Sequence, residues 1–327
     1  MLILSFRDMS VPRCGGVTPG MFYDLANIGP AQQWWGPPPR YSYIPDAAPI
    51  VAGKHVCFLV HGFNVNRDCG YTGFGAFSQE MTPGEGLLDS LHPAIDLLVS
   101  GVDLLIPVLW AGDWYLPANY PFLLPDIRLT GKYFAQLLLS ASTRISRVSF
   151  VTHSMGVRLA LETMQQTLAL ATRASFKPPL FETAIFTAPA ASDQILGDPD
   201  YEAAVIALRK IVVVSSRADT VLEYAFPPGN AVEQALWSRD PGDDDALGRY
   251  GPRLKPGSNA LGKTEWYEIP FNIGQNHGDY VPSPWQLAPP YPNGWSDKRI
   301  RIGRLAQAIL NGGVPPDPPA SKVTPRA

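Results

Sequence analysis

Arg147-Val148-Ser149-Phe150-Val151-Thr152-His153-Ser154-Met155-Gly156-Val157-Arg158-Leu159 decides how this chain is to be read. Its first half, Arg147 to Val151, is short, apolar and β-branched, as a buried strand requires. Its second half, Val157-Arg158-Leu159-Ala160-Leu161-Glu162-Thr163-Met164, is rich in helix formers. Thr152-His153-Ser154-Met155-Gly156 therefore sits at a strand-turn-helix junction. A serine at such a junction is held on a sharp backbone turn, with its hydroxyl presented at the carboxyl edge of a sheet. Gly156 lets the helix begin close against the strand, where a Cβ would clash. The N–H groups at the helix start, Met155 first, point toward any oxyanion formed there. The first position of the usual Gly-x-Ser-x-Gly pattern is Thr152, so the pentapeptide alone also fits an ordinary strand-to-helix turn.

The partners such a serine needs follow in order. Upstream, Lys54-His55-Val56-Cys57-Phe58-Leu59-Val60 is an apolar run ending in His61-Gly62-Phe63-Asn64. Downstream, Lys210-Ile211-Val212-Val213-Val214-Ser215-Ser216 precedes Arg217-Ala218-Asp219, and Thr264 to Phe271 precedes Asn276-His277-Gly278-Asp279. Ser154, Asp219 and His277 each lie just beyond an expected strand, and a parallel sheet gathers such positions at one edge. The chain order is serine, acid, histidine. On these residues the chain resembles the α/β-hydrolases of the esterase/lipase type. Within them it is similar to a poorly characterised group carrying His-Gly-Phe/Tyr-Asn, His-Ser-Met-Gly and Ser-Arg-x-Asp motifs. The resemblance covers roughly residues 50 to 312. It implies an α/β-hydrolase fold, with a mostly parallel sheet and helices on both faces, and a serine hydrolase of carboxylic esters acting through an acyl-enzyme.

Each role has rivals. His277 is the favoured base for Ser154, because an unassisted hydroxyl is a poor nucleophile. His61, at the end of its strand, is better placed to order the oxyanion loop, and His153 lies inside the turn itself. Asp219 is the favoured acid, and it would equally serve as N-cap to the helical run Thr220-Val221-Leu222-Glu223. Asp193, after the preceding strand, and Asp279, two residues from His277, are the alternatives. The backbone N–H groups of Met155 and Phe63 are expected to form the oxyanion hole, with Gly62 letting the chain turn inward. Trp110, Trp114 and Tyr115 form an aromatic cluster after a central strand. They are expected either to wall a substrate pocket or to cover core.

Composition narrows the classes further. The chain has 327 residues, of which 46% are hydrophobic and 17% charged, a globular composition. Net charge is −3 and no basic run is long, which argues against a nucleic-acid partner. The three cysteines, Cys14, Cys57 and Cys69, are too few for a disulfide framework, and only a Cys14–Cys69 pair is conceivable. No His/Cys spacing suggests a metal site, and no cofactor is expected. With no secretory signal and no run near the ~18 apolar residues of a membrane span, the expected location is cytoplasmic. The expected partner is a small-molecule ester with an apolar acyl or aryl group. An acyltransferase or amidase would use the same three residues, and a non-catalytic ligand-binding protein is the third reading.

Strands are expected near 40–44, 54–60, 103–109, 147–152, 182–187, 210–216 and 264–270. Helices are expected near 84–99, 126–143, 155–171, 200–208, 220–237 and 297–311. This alternation predicts βαβ units and a parallel sheet. Residues 1–49 are expected to form an irregular segment packed on the core, 50–312 the hydrolase domain, and 313–327 a proline-rich disordered tail.

Overall fold

The computed structural model describes residues 2–10, 15–26, 40–63, 102–112, 122–140, 144–237, 245–271, 276–280, 309–311 and 321–326. Within them ten strands form one sheet: β1 (Leu2–Arg7), β2 (Val17–Ala26), β3 (Arg40–Ile44), β4 (His55–Val60), β5 (Leu104–Leu109), β6 (Arg147–His153), β7 (Leu180–Thr187), β8 (Lys210–Ser216), β9 (Thr264–Ile269) and β10 (Ser321–Val323). The described helices are α1 (Ala48–Val51), α2 (Leu124–Leu139), α3 (Gly156–Ala174), α4 (Glu202–Ala207), α5 (Thr220–Tyr224), α6 (Phe226–Trp237) and α7 (Leu247–Tyr250).

The spatial order is β10-β9-β8-β7-β6-β4-β5-β1-β2-β3. From β9 to β1 every neighbouring pair is parallel. This is the α/β-hydrolase architecture expected from the sequence. The central strands are buried along nearly their whole length, as strands covered on both faces must be, which is why they read as continuous apolar runs. From β4 the chain steps outward to β5, whereas from β6 it steps the other way to β7. The carboxyl ends of β4 and β6 therefore flank a topological switch point, where a crevice opens in folds of this kind.

α2 packs on α3 as α3 packs on α4, which places the three side by side on one face, as right-handed crossovers running in one direction along a sheet require. In α2 the buried residues Leu124, Ile127, Thr130, Gly131, Phe134, Ala135 and Leu138 recur at helical spacing and form its inner stripe. Phe134 meets Phe58 of β4 edge-on at 4.8 Å, and Phe6 of β1 at the same distance. A Cβ on Gly131 would come within 2.6 Å of Glu162 Cγ, so the α2–α3 crossing depends on that glycine. The single helix expected over 220–237 is two, α5 and α6, divided at Ala225. Pro227 and Pro228 cause the break, since neither can donate the N–H that a continuous helix needs.

Two expectations about the chain ends are corrected. Residues 1–49 are not an irregular segment: β1 enters the parallel sheet beside β5, and β2 and β3 extend it as antiparallel strands. The tail is not wholly disordered either. β10 pairs antiparallel with β9, and Arg326 is bonded to the body of the protein through Pro252 and Leu254. The expected helix at 84–99 and most of the helix at 297–311 lie outside the described residues. The helices seen establish coverage of one face of the sheet.

Candidate active site

The turn after β6 has the geometry expected of the serine junction. Ser154 has φ +54°, a left-handed conformation that costs a residue with a Cβ about 1–2 kcal/mol. Its surroundings hold it there. The Ser154 N–H donates to Thr187 O of the neighbouring strand at 3.1 Å, and Ser154 O accepts from Ala190 N–H at 3.1 Å. Gly156 is required by packing, because a Cβ on it would meet Val60 O at 2.6 Å and His61 O at 2.9 Å. The helix start is thereby pressed against the end of β4.

The structure brings Ser154, Asp219 and His277 together. His277 Nε2 lies 2.8 Å from Ser154 Oγ, and its Nδ1 lies 2.8 Å from Asp219 Oδ2. An Asp219 carboxylate can only accept, so Nδ1 carries the proton and Nε2 is left to accept from the serine hydroxyl. Asp219 is fully buried and Ser154 nearly so, while the His277 side chain is 14% exposed. Asp219 also caps α5, its Oδ1 accepting the Leu222 N–H at 2.9 Å. The cap reading and the orienting reading describe one residue.

The His61-Gly62-Phe63 turn closes the other wall. A Cβ on Gly62 would lie 2.6 Å from Ser154 Cβ, so only glycine lets this turn approach so closely. Phe63 is half-buried against the core. Among the described residues nothing accepts from the Met155 N–H at the start of α3.

His61 is not a second base. Trp110 N–H can only donate, and it donates to His61 Nε2 at 3.2 Å; Nδ1 therefore carries the proton and donates to Gly62 O at 2.7 Å. Burial, with a smaller push from Arg7 and against the Gly62 bond, lowers the imidazole to about 3. It stays neutral and shapes the turn.

Trp110 corrects an expectation. It was a candidate for the pocket wall, yet it is fully buried, stacks on His61 with ring centroids 5.6 Å apart, and donates its indole N–H to His61 O at 2.9 Å. A buried indole needs such a partner, and this one lies in the core. Trp114 and Tyr115 lie outside the described residues.

The rival acids separate cleanly. Asp193 is engaged by Arg253 and Arg326, at 3.3 and 2.7 Å, rather than by a histidine. The Asp279 side chain is outside what is described. His153, in contrast, has a part that sequence reasoning missed: its Nε2 lies 2.9 Å from the main-chain O of His277. Nothing local signals that bond, since the two residues are 124 apart in the chain. His55 bonds Ser149 Oγ in the core and is remote from this chemistry. Among the described residues no cluster of His, Cys, Asp and Glu could hold a metal ion, and no helix is long and apolar enough to cross a membrane. Cys57 is a buried free thiol, raised by desolvation; Cys14 and Cys69 are outside the described residues.

No family model matches this chain, and no curated protein does. Among solved structures it is similar to Aspergillus fumigatus lipase B, at 11% identity and TM-score 0.34, over 84% of this chain and 66% of that one. It is also similar to esterase B of Lactobacillus rhamnosis with a C6-C4 SN3 inhibitor, at 9% identity and TM-score 0.33, over 95% of this chain and 88% of that one. A third is the Tle1 effector bound to the VgrG spike of a type 6 secretion system, at 10% identity and TM-score 0.25, over 61% of this chain and 51% of that one.

Proposed function

We propose that this chain is a serine hydrolase that cleaves carboxylic esters through an acyl-enzyme. The observation that carries the reading is the single imidazole of His277, set between Ser154 Oγ and Asp219 Oδ2 at 2.8 Å from each, with the serine in a left-handed turn. Strained backbone at such a junction persists only where its surroundings enforce it, and it marks functional sites.

In this reading Ser154 Oγ attacks the ester carbonyl while His277 Nε2 takes its proton. Asp219 holds the Nδ1–H tautomer and stabilises the imidazolium that forms. The backbone N–H groups of Met155 and Phe63 receive the charge on the former carbonyl oxygen. The C–O bond to the alcohol breaks, and the imidazolium returns its proton to the leaving alkoxide. A water then gives a proton to His277 and attacks the acyl carbon. Collapse of that intermediate releases the carboxylic acid and restores Ser154.

The substrates proposed are small to medium esters with apolar acyl or aryl groups. Supporting this, α5 packs on the turn His277–Asp279 and exposes Val221 and Tyr224, and Phe271 is exposed just beyond β9. Exposed apolar side chains on the helix that Asp219 caps favour uncharged groups, because a charge set against them loses hydration. The test is a fluorophosphonate probe with peptide mass mapping, run beside a series of p-nitrophenyl esters. A single adduct on Ser154, and loss of both labelling and turnover in Ser154→Ala, is expected. An unlabelled protein, or a Ser154→Ala variant within about tenfold of the parent, would overturn the reading.

A further inference from the structure

His153 closes β6 immediately before Ser154, and its half-buried side chain reaches across the site rather than into the sheet. Its Nε2 lies 2.9 Å from His277 O. A carbonyl oxygen only accepts, so Nε2 carries a proton and donates it to the backbone of His277. The two imidazoles lie with centroids 4.8 Å apart at 45°, and the ring of Tyr280, itself fully buried, lies 6.2 Å away. The opposite edge of His153 faces the other wall: its Nδ1 lies 3.2 Å from the position a Cβ would take at Gly62. One side chain thus touches the turn that carries the base and lies against the turn beside the serine.

His277 sits on a single 3₁₀ turn, His277–Asp279, with no strand ladder to fix it. Its imidazole is aimed by Asp219, but that bond leaves the main chain of the turn to be placed by other contacts. The His153 bond supplies such a contact, from the residue next to the nucleophile in sequence. The bond thus links the end of β6 directly to the turn that carries His277.

We propose that His153 is a positioning residue that sets the backbone of His277 through its Nε2–H donor and so aligns the base with Ser154. The proposal rests on the reading of Ser154 as nucleophile and His277 as its base. A misplacement of about 1 Å in such a pair costs about 10²-fold in rate, without altering substrate contacts. The effect should fall on acylation and leave KM alone.

Three variants test it. Glutamine carries an amide N at nearly the reach of Nε2; asparagine carries the same amide too short to reach His277 O; phenylalanine keeps the ring and loses the donor. His153→Asn and His153→Phe are expected to lower kcat, and the rate of fluorophosphonate labelling of Ser154, by about 10- to 100-fold with KM within about twofold. His153→Gln is expected to stay within about fivefold of the parent. If phenylalanine fails to fold, the asparagine–glutamine pair, equal in polarity, still decides. Equal activity in Asn and Gln variants, whether both high or both low, overturns the proposal, as does a rise in KM at unchanged kcat. Ser154→Ala separates the two readings. If it still turns over ester, the hydrolase reading fails; if it is inactive while His153→Asn matches the parent, only the role of His153 fails.

Discussion

Asp219 and His277 are joined through one carboxylate oxygen alone: Oδ2 lies 2.8 Å from His277 Nδ1, while Oδ1 is taken by the Leu222 N–H at 2.9 Å. The acid is thus fixed by the helix it starts. The Arg249 guanidinium adds to this by donating to Asp219 O at 3.0 Å and to Glu223 at 2.9 Å, bracing the first turn of α5 from outside. A side chain locked by its own cap has little rotamer freedom left, and little is lost when it orients the imidazole.

That division of labour separates two substitutions. Asparagine at 219 can still accept from Leu222, so Asp219→Asn should keep its melting temperature within a few degrees of the parent. Its amide N–H₂, however, would face the Nδ1–H of His277 and force the other tautomer, for which a fall of about 10⁴ in kcat is expected. Asp219→Ala should add the loss of the cap, about 1 kcal/mol by denaturant titration. Activity within about tenfold of the parent in Asp219→Asn would show that Asp219 caps the helix and does nothing else.

The second expectation concerns Gly62. Its hydrogen faces Ser154 Cβ where a methyl would stand 2.6 Å away, a contact that requires one turn to move. If the Phe63 N–H serves the oxyanion as proposed, Gly62→Ala should displace it and lower kcat by about 10²–10³, the usual cost of losing one such donor. Pre-steady-state acylation is the measurement. A burst rate within about threefold of the parent would place the oxyanion elsewhere.

Much of this site is legible in the sequence, and the reason is topological. In a parallel sheet, strand ends gather at one edge, so residues that follow apolar runs are brought together without any knowledge of side-chain contacts. Ser154, Asp219 and His277 could be read that way, as could Gly62. What could not be read depends on non-local contact. β1 is a short apolar run at the extreme amino end, and nothing near it in sequence reveals that it will lie beside β5. The tail, rich in proline, reads as disordered because its anchors are Arg326 on Asp193 and a three-residue ladder on β9. Trp110 read equally as pocket wall or as core because a strand-end tryptophan carries no mark of which way it faces. Its direction is set by His61, which takes both of its N–H groups.

Trp110 gives a third expectation. Trp110→Ala should destabilise the fold by about 3–5 kcal/mol, the cost of emptying a fully buried aromatic site. Trp110→Phe should cost less and still be measurable, because His61 O loses its indole partner. In either variant that folds, KM for a short aryl ester should be unchanged. A raised KM at full stability would return Trp110 to the pocket.

The last expectation uses the anchor of the tail. Asp193 is raised to about 6, chiefly by burial and further by Asp245, against the pull of Arg253 and Arg326. Its value in the unfolded chain is near 3.8. Between these values the folded protein binds more protons than the unfolded one, so stability falls as pH rises through the window. The contribution is fully present below about 3.8 and lost by the time pH has passed about 6. His61 acts in the opposite sense: its depressed imidazole contributes stability above 6.5 that is lost as pH falls toward about 3. The raw stability curve therefore mixes the two, and a difference is needed. Asparagine at 193 cannot titrate, whereas His61 is present in both proteins and cancels. The melting temperature of Asp193→Asn minus that of the parent should rise from pH 4 to about pH 6.5 and level off above it, whatever its starting value. A difference that is flat or falls across this window would mean that the two arginines hold Asp193 ionised throughout, and that the tail anchor is a permanent ion pair.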